Sequence, residues 1–348
     1  MNTKLLRALS LTALGLSLVA CGGTPGTSSS SQQPAAPKSV VADTSKNADS
    51  LSKKELLDAY GMKNMPGCEM EWYDQADNYE NWATGQTIAE IRDFPYGPGH
   101  EVGKDVIADG VGVTINMDNF TGALKSLNRV KTFTTSDAPV AGAGIALHTV
   151  ENGLFTVKVA GAATSNSTKK ILKSAVNSYQ IQLIDNAGTI ALDTTTNQAK
   201  NETINSLTDG ITQVASKYEL GDAYGMEKGH GYGSSEVGEW YEQAEAYEAY
   251  TEGKLASEVS GDKTTANIAG CTMNIDGFEK VIKEAAGANV SKEVGTATAN
   301  AAYTLSVGSY VSFADNQIEV SICAIVTNSN DKIVSSYFDV LQRAVKLA

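Results

Sequence analysis

The sequence has few of the residues that usually build catalytic or metal sites. Its 348 residues include only four cysteines and three histidines, and the histidines are His100, His148 and His230. None of the histidines has a neighbouring second ligand in sequence, so we expect no metal site. We find no G-x-S-x-G elbow, H-E-x-x-H pair, P-loop or G-x-G-x-x-G turn. These absences argue against the enzyme classes that carry those motifs, and we predict no catalytic side chains.

The cysteines do not suggest a disulfide framework. Apart from Cys21, the chain has Cys68, Cys271 and Cys323, an odd number without C-x-x-C spacing. A single bridge between Cys271 and Cys323 stays open, but the pattern favours two buried free thiols.

Acidic residues outnumber basic ones by 40 to 27, which gives a formal net charge of −13. Cleavage before Cys21 would remove Lys4 and Arg7 and make the charge −15. An acidic surface repels the phosphates of nucleic acids and of anionic lipids. We therefore expect no nucleic acid among the partners.

The N-terminus has the three parts of an export signal. Lys4 and Arg7 give a basic start, residues 8–18 are mostly apolar, and small residues precede Cys21. The apolar stretch is too short to span a bilayer as a helix, which takes about 20 residues. The sequence Leu-Val-Ala-Cys resembles the bacterial lipobox, and this resemblance implies lipid on the sulfur of Cys21. We predict a signal peptide at residues 1–20 and a lipid anchor on the extracytoplasmic face of the cell membrane.

Residues 21–50 are rich in Gly, Ser, Thr, Gln and Pro. Such a segment has little apolar surface to bury, so we predict a flexible tether. No second apolar run of membrane length follows, and the rest of the chain is expected to be soluble.

Several sequence elements recur in the same order, at offsets of about 160 residues. The recurring pairs are 58–62 and 222–226, 71–76 and 239–244, and 114–120 and 272–278. We infer a tandem duplication, with repeat 1 at residues 51–200 and repeat 2 at residues 217–348.

Each copy has a helical part followed by strands. Trp72, Ala76 and Tyr79 lie on one face of a helix that ends near Gly85, and the pattern predicts that this face is buried. Trp240 and Tyr247 have the equivalent spacing in the second copy. A shorter helix follows, which Asp118 or Asp276 would cap.

Strand patterns follow the helices in both copies. Alternating segments flank polar turns at 164–168 and 327–331, which predicts a hairpin in each copy. The expected fold class is α+β, with helices packed on a small antiparallel meander in each repeat. Each helical part would pack either on the strands that follow it or, across the chain, on the strands of the other copy.

The Gly-x-Thr elements resemble part of a known family motif. Gly112 and Thr114 recur as Gly270 and Thr272. With the neighbouring helices and hairpins they resemble the FMN-binding domain of Gram-positive surface lipoproteins, in which a Thr carries FMN as a phosphoester. The resemblance implies covalent FMN at Thr114 or Thr272, although the family's Ser is missing from both elements. The chain also resembles duplicated surface lipoproteins of Firmicutes without an assigned activity.

Tyr73 and Tyr241 lie off the buried helix face, so they are candidates for surface contacts with a ligand. Three functions remain open at this point. The favoured one is a binding or accessory lipoprotein for an unknown small molecule. The alternatives are an extracellular electron-transfer protein carrying covalent FMN, with an unknown redox partner, and a structural or adhesive surface protein.

Overall fold

Two antiparallel sheets stacked face to face form the centre of the molecule. The computed structural model describes residues 36–45, 47, 49–97, 99–103, 113–196, 200–204, 208–231, 233–262, 266–287 and 300–348. Within these ranges, residues from Pro37 to Ala348 belong to one compact unit.

The larger sheet has seven strands in the described ranges. Its strands are β1 (Val40–Ala42), β2 (Leu127–Thr135), β7 (Lys200–Ile204), β8 (Thr208–Gln213), β9 (Ala301–Ala314), β10 (Gln317–Asn328) and β11 (Ile333–Leu347). The order is β1-β11-β10-β9-β8-β7, and β2 also pairs with β9. β2 follows the first half of β9, whereas β8 reaches only its end, at Phe313 and Ser312.

The smaller sheet is a four-stranded meander. Its strands are β3 (Pro139–Glu151), β4 (Leu154–Ser165), β5 (Ile171–Asn186) and β6 (Thr189–Leu192), paired in chain order. The hairpins predicted around 164–168 and 327–331 are confirmed as β4–β5 and β10–β11.

Alternation along the strands divides their side chains between two faces. On β10, Val320 and Ile322 point toward the other sheet, while Cys323 and Ile325 point toward helices. Because successive side chains on a strand face opposite ways, both sheets are apolar on both faces over much of their length. The result is a core between the sheets and a further core on each outer face.

The helices form two groups. They are α1 (Lys53–Leu56), α2 (Trp72–Ala83), α3 (Ile88–Arg92), α4 (Asp118–Lys125), α5 (Lys217–Leu220), α6 (Trp240–Thr251) and α7 (Phe278–Gly287). The predicted buried faces are confirmed, since Trp72, Tyr79, Trp240 and Tyr247 are all at most 4 % exposed.

The first group of helices packs on strands from the C-terminal part of the chain, and the second group packs on strands that precede it in sequence. Tyr79 and Phe120 of the first group contact Phe338 on β11. Trp240 and Phe278 of the second group share a core with Val176 on β5. Of the two arrangements that the sequence left open, the structure therefore has the crossed one. We call α1–α4 with β9–β11 the first module, and α5–α7 with β3–β5 the second module.

Equivalent pairs of backbone hydrogen bonds join the end of the long helix to its sheet in both modules. Just beyond α2, Gly85 N donates to the carbonyl of Ile333, and Ile333 N donates back to Gln86. Beyond α6, Gly253 and Lys254 make the same exchange with Ile171, and all four of these bonds are 2.8 Å long. Gly85 and Gly253 have φ values of +85° and +77°, a conformation that favours glycine.

Two sequence predictions need correction. The tether predicted for residues 21–50 does not include residues 40–42, because Val40–Ala42 pairs with β11 and Val40 is only 2 % exposed. Asp118 does not cap α4 but lies in its first turn, and the Oδ1 atom of Asn116 accepts from the backbone N of Asp118 at 2.8 Å. The equivalent bond joins Asn274 and Asp276 at 2.9 Å.

Cys271 and Cys323 are buried thiols that form no disulfide, as predicted, and Cys68 is a half-buried thiol without a disulfide in the described part of the chain. The signal peptide and Cys21 lie outside the described residues. Within the described part of the chain, no helix is both long enough and apolar enough to cross a membrane.

Candidate functional site

A buried glutamine on the long helix holds each of the two predicted threonines. In the first module, the Oε1 atom of Gln75 accepts from Thr114 N at 2.7 Å, from Thr114 Oγ1 at 3.1 Å and from Ile115 N at 3.1 Å. Gln75 is 2 % exposed, so its amide oxygen is a fixed acceptor. Thr114 itself is exposed.

The second module repeats this arrangement. The Oε1 atom of Gln243 accepts from Thr272 N at 2.8 Å, from Thr272 Oγ1 at 3.1 Å and from Met273 N at 2.7 Å. Thr272 is exposed, and Gly270 before it has a φ of +74°, which favours glycine. Gly112, the corresponding glycine of the first module, lies outside the described residues.

A buried glutamate at the start of each long helix holds the Tyr-Gly-Met turn. Glu239 is fully buried and accepts from the backbone N of Met226 at 2.9 Å and of Glu227 at 3.0 Å. Burial alone would raise the pKa of Glu239, but these amide hydrogen bonds outweigh it and lower the pKa. Glu71 accepts from Met62 and Lys63 in the same way.

Tyr73 and Tyr241 form hydrogen bonds with residues next to these same turns. Their hydroxyls donate to Asp58 and Asp222 at 3.1 and 3.2 Å, and both tyrosines are half-buried. Neither tyrosine is among the residues that line the clefts described below.

A cleft of two adjoining parts lies between the helices and the outer sheet face of the second module. One part, of about 700 Å³, is lined by Thr272, by Gly225 and by residues 233–237. The other part, of about 430 Å³, contains Lys158 and Lys217. Gln180, Tyr224 and Met226 line both parts. We call the two parts together the second-module cleft.

Lys217 is the most unusual charge in this cleft. Its ammonium lies 4.7 Å from the centre of the Tyr224 ring and 5.9 Å from that of Trp240. Among the described residues it has no carboxylate within ion-pair distance and no hydrogen-bond acceptor. Burial, and to a smaller extent repulsion from Lys158, lowers the pKa of Lys217 to about 8.

Lys158 provides a second amine on the neighbouring strand. Its ammonium lies 5.1 Å from the centre of the Phe278 ring, again without an ion-pair partner in the described part of the chain. Burial lowers the pKa of Lys158, and the nearby carboxylate of Asp276 partly offsets this effect. His148 lines the same part of the cleft, and burial together with Lys158 lowers the pKa of its imidazole.

This arrangement combines positive charge with aromatic surface. Tyr224, Trp240 and Phe278 offer ring faces, while Lys158 and Lys217 offer ammonium groups. Asp276 lines the same part of the cleft, but no carboxylate of the described residues lies within ion-pair distance of either amine. Half-buried charges of this kind are stabilised by an anion that enters the cleft. The described residues contain no group of three His, Cys, Asp or Glu side chains that would hold a metal ion.

Sequence reasoning found Thr272 but missed Lys217 and its counterpart Lys53. A signal was present, because Ser-Lys-x-Glu-Leu occurs at 52–56 and again at 216–220, in both places one residue before the recurring Asp-Ala-Tyr-Gly-Met. In both places the Ser and Glu form a capping box, so the lysine occupies the first helical position.

Comparison with known proteins gives limited information. No family model matches the chain, and no solved structure matches it. A chlorophenol reductase of Desulfitobacterium hafniense is 41 % identical over 61 residues. The match covers 17 % of this chain and 19 % of the reductase, so the chain matches less than a fifth of that protein's length.

Proposed function

We propose that this chain is a membrane-anchored extracellular lipoprotein that binds a small aromatic phosphate in the second-module cleft, without catalytic side chains of its own. The observation that carries this proposal is the pair of amines, Lys158 and Lys217, set over aromatic rings without a carboxylate at ion-pair distance among the described residues. The membrane anchor rests on the lipobox-like sequence that ends at Cys21.

The electrostatics of the cleft favour an anion over a neutral ligand. Removing an ammonium from water is unfavourable unless another charge or dipole replaces the lost hydration. The aromatic faces provide part of this replacement, at about 0.5–2 kcal/mol for each cation–π contact. A phosphate between the two amines would provide more, through charge-assisted hydrogen bonds, because its two negative charges match the two ammonium groups.

The recurring hydrogen bonds support a tandem duplication as the origin of the two modules. Gln75 and Gln243 hold equivalent threonines, and Glu71 and Glu239 hold equivalent turns. In this proposal the chain exchanged its strands between copies, so that each module combines helices and strands from different repeats.

Titration with FMN and riboflavin tests the binding proposal, because the two molecules share a ring system and differ by a phosphate. We expect FMN to bind more tightly, by about tenfold or more, since a charge-assisted pair contributes about 1.5–3 kcal/mol. The Lys158→Gln, Lys217→Gln double variant should lose this difference. Lys125→Gln changes an exposed lysine of α4 and should keep it. Equal affinity of the wild type for both molecules, or no binding, would contradict the proposal and favour a structural or adhesive role.

A covalent flavoprotein is the second candidate. The observation that favours it is that Thr272 is exposed and lines the same cleft as Tyr224 and Met226. These residues fit a phosphoester-linked FMN, with the phosphate at Thr272 and the ring system against apolar side chains. Bound flavin would supply extracellular electron transfer, while the protein holds and orients it. The short match to a protein named chlorophenol reductase is in keeping with a redox role.

Co-expression of the chain with a flavin transferase tests this second candidate. Under ultraviolet light, a denaturing gel should show yellow fluorescence that decreases in Thr272→Ala and disappears when Thr114→Ala is added. Thr189→Ala, at an exposed position on β6, serves as the control. A dark wild-type band with an intact mass that lacks the FMN increment would exclude covalent flavin.

A further inference from the structure

Lys53 in the first module is a buried lysine that has no carboxylate within ion-pair distance among the described residues. It is 9 % exposed, and its Nζ atom lies 5.2 Å from the centre of the Tyr60 ring and 5.3 Å from that of Trp72. Among the described residues it has neither a hydrogen-bond acceptor nor a carboxylate within ion-pair distance. Lysine is rarely this buried without a partner, and an anion beside the ammonium would stabilise its charge.

A separate cleft of about 360 Å³ opens onto this ammonium. Apolar side chains form much of its wall, and three amide side chains form the rest. The lining residues are Asn47, Leu51, Lys53, Leu56, Ala59, Tyr60, Gln317, Gln342 and Ala344. None of them lines the second-module cleft. We call it the Lys53 cleft.

The amide side chains that line the Lys53 cleft are already engaged. The Nδ2 atom of Asn47 donates to the carbonyls of Leu51 and Gln342, at 2.8 and 3.1 Å. The side chains of Gln342 and Gln317 both donate to the carboxylate of Glu319. Lys53 carries the positive charge among the residues that line the cleft, and its ammonium is the group that would pair with an anion.

We propose that the Lys53 cleft is a second binding site, which takes a small monocarboxylate with an apolar body. The carboxylate pairs with the ammonium of Lys53, and the apolar body packs against Leu51, Leu56 and the Tyr60 ring. A single ammonium neutralises one negative charge, and the carboxylate of Glu319 behind the amides opposes a second. This arrangement favours a carboxylate over a phosphate dianion.

The proposal does not depend on the ligand of the second-module cleft, because no residue is shared between the two sites. Benzoate and hexanoate are suitable probes, since both are monocarboxylates with apolar bodies, and inorganic phosphate is the contrasting anion. Calorimetric titration of the full-length mature chain should detect one site for each carboxylate. In the Lys158→Gln, Lys217→Gln variant, which lacks the amines of the second-module cleft, the carboxylates should bind as before and phosphate much more weakly.

Substitutions at Lys53 locate the site. We expect Lys53→Gln to weaken benzoate binding at least tenfold, which corresponds to about 1.4 kcal/mol. Lys53→Arg keeps the charge and should retain part of the affinity. Lys217→Gln and the exposed control Lys63→Gln should bind benzoate as the wild type does.

Lys53→Met provides a check on folding, because it keeps the apolar stem that packs against Tyr60 and Trp72 and removes only the charge. It should unfold at a temperature no lower than the wild type and still lose benzoate binding. The proposal is overturned if the wild type binds neither carboxylate at millimolar concentration, or if a folded Lys53→Met variant binds benzoate with unchanged affinity.

Discussion

The two modules share their hydrogen-bonded frame but differ in the side chains around the central lysine. On the smaller sheet, Lys158 of β4 pairs with Ala146 of β3, and the small alanine leaves room for the lysine side chain. At the equivalent register on the larger sheet, Ser321 of β10 pairs with Tyr310 of β9. The Tyr310 ring packs directly on Gly122 of α4, where a Cβ would come within 2.8 Å of it.

This difference distinguishes the residues that build the shared frame from the residues that line the clefts. The backbone contacts of the helix, turn and threonine are the same in both modules, whereas the residues that determine the charge of the cleft differ between them. Lys217 shares its cleft with Lys158 and His148, but Lys53 shares its cleft with Leu51 and Leu56. In the proposals made above, the same frame presents two different binding sites.

The largest difference in stability should come from the buried glutamates of the long helices. Glu248 accepts from Val176 N at 2.8 Å and pairs with Arg129 and Lys131, and Arg129 is 2 % exposed. Glu248→Gln leaves Arg129 buried without a counter-ion, so the free energy of unfolding should fall by about 3–5 kcal/mol.

The matched variant in the first module is Glu80→Gln. Glu80 accepts from Phe338 N at 2.8 Å and pairs with Lys54, but Lys54 also pairs with Asp77 at 2.8 Å. The remaining pair should limit the loss to about 1–3 kcal/mol in urea unfolding. A Glu80→Gln loss as large as that of Glu248→Gln would contradict this comparison.

A dependence of stability on pH should arise from Asp339 in the first module. Asp339 is fully buried, and burial raises its pKa to about 6 although Ser52 and Lys54 donate to it. Its pKa in the unfolded chain is 3.8, so the unfolded state loses this proton first as pH rises. The stability that the protonated group contributes is therefore present below pH 4 and is lost between about 4 and 6, with a slope of up to about 1.4 kcal/mol per pH unit.

Asn177 occupies the equivalent position in the second module, where its Oδ1 atom accepts from Ser178 N at 2.9 Å. Asp339→Asn copies that arrangement into the first module. The difference in free energy of unfolding between wild type and Asp339→Asn should decrease with pH between 4 and 6 and be constant above 7. Parallel stability curves for the two proteins would show that Asp339 does not titrate as described.

The smallest expected effect concerns one backbone position. Leu57 has φ 48° and ψ −130°, and the equivalent Gly221 has φ 51° and ψ −130°. Only glycine adopts this conformation without strain. Leu57→Gly should therefore raise the free energy of unfolding by about 1 kcal/mol, and Gly221→Leu should lower it by a similar amount. A loss of stability in Leu57→Gly would mean that the half-exposed leucine side chain makes contacts worth more than the strain.

Periodicity predicted the secondary structure well, because Trp72, Tyr79 and their counterparts have the spacing of a buried helix face and the hairpins alternate. It could not predict the crossed pairing of helices and strands, since either arrangement buries the same side chains. The lysines of the clefts were missed because a lone lysine at the start of a helix is usually solvated. Their burial depends on Tyr60 and Tyr224, whose positions follow from the turns that Glu71 and Glu239 hold.

The most direct test of two distinct sites on one frame is a crossed titration. FMN and benzoate are each titrated into the wild type, Lys217→Gln and Lys53→Gln proteins, and the dissociation constants are compared. We predict that Lys217→Gln weakens FMN at least tenfold and leaves benzoate unchanged, while Lys53→Gln does the reverse. Weakening of both ligands by either single variant, or of neither ligand by both variants, would contradict the account.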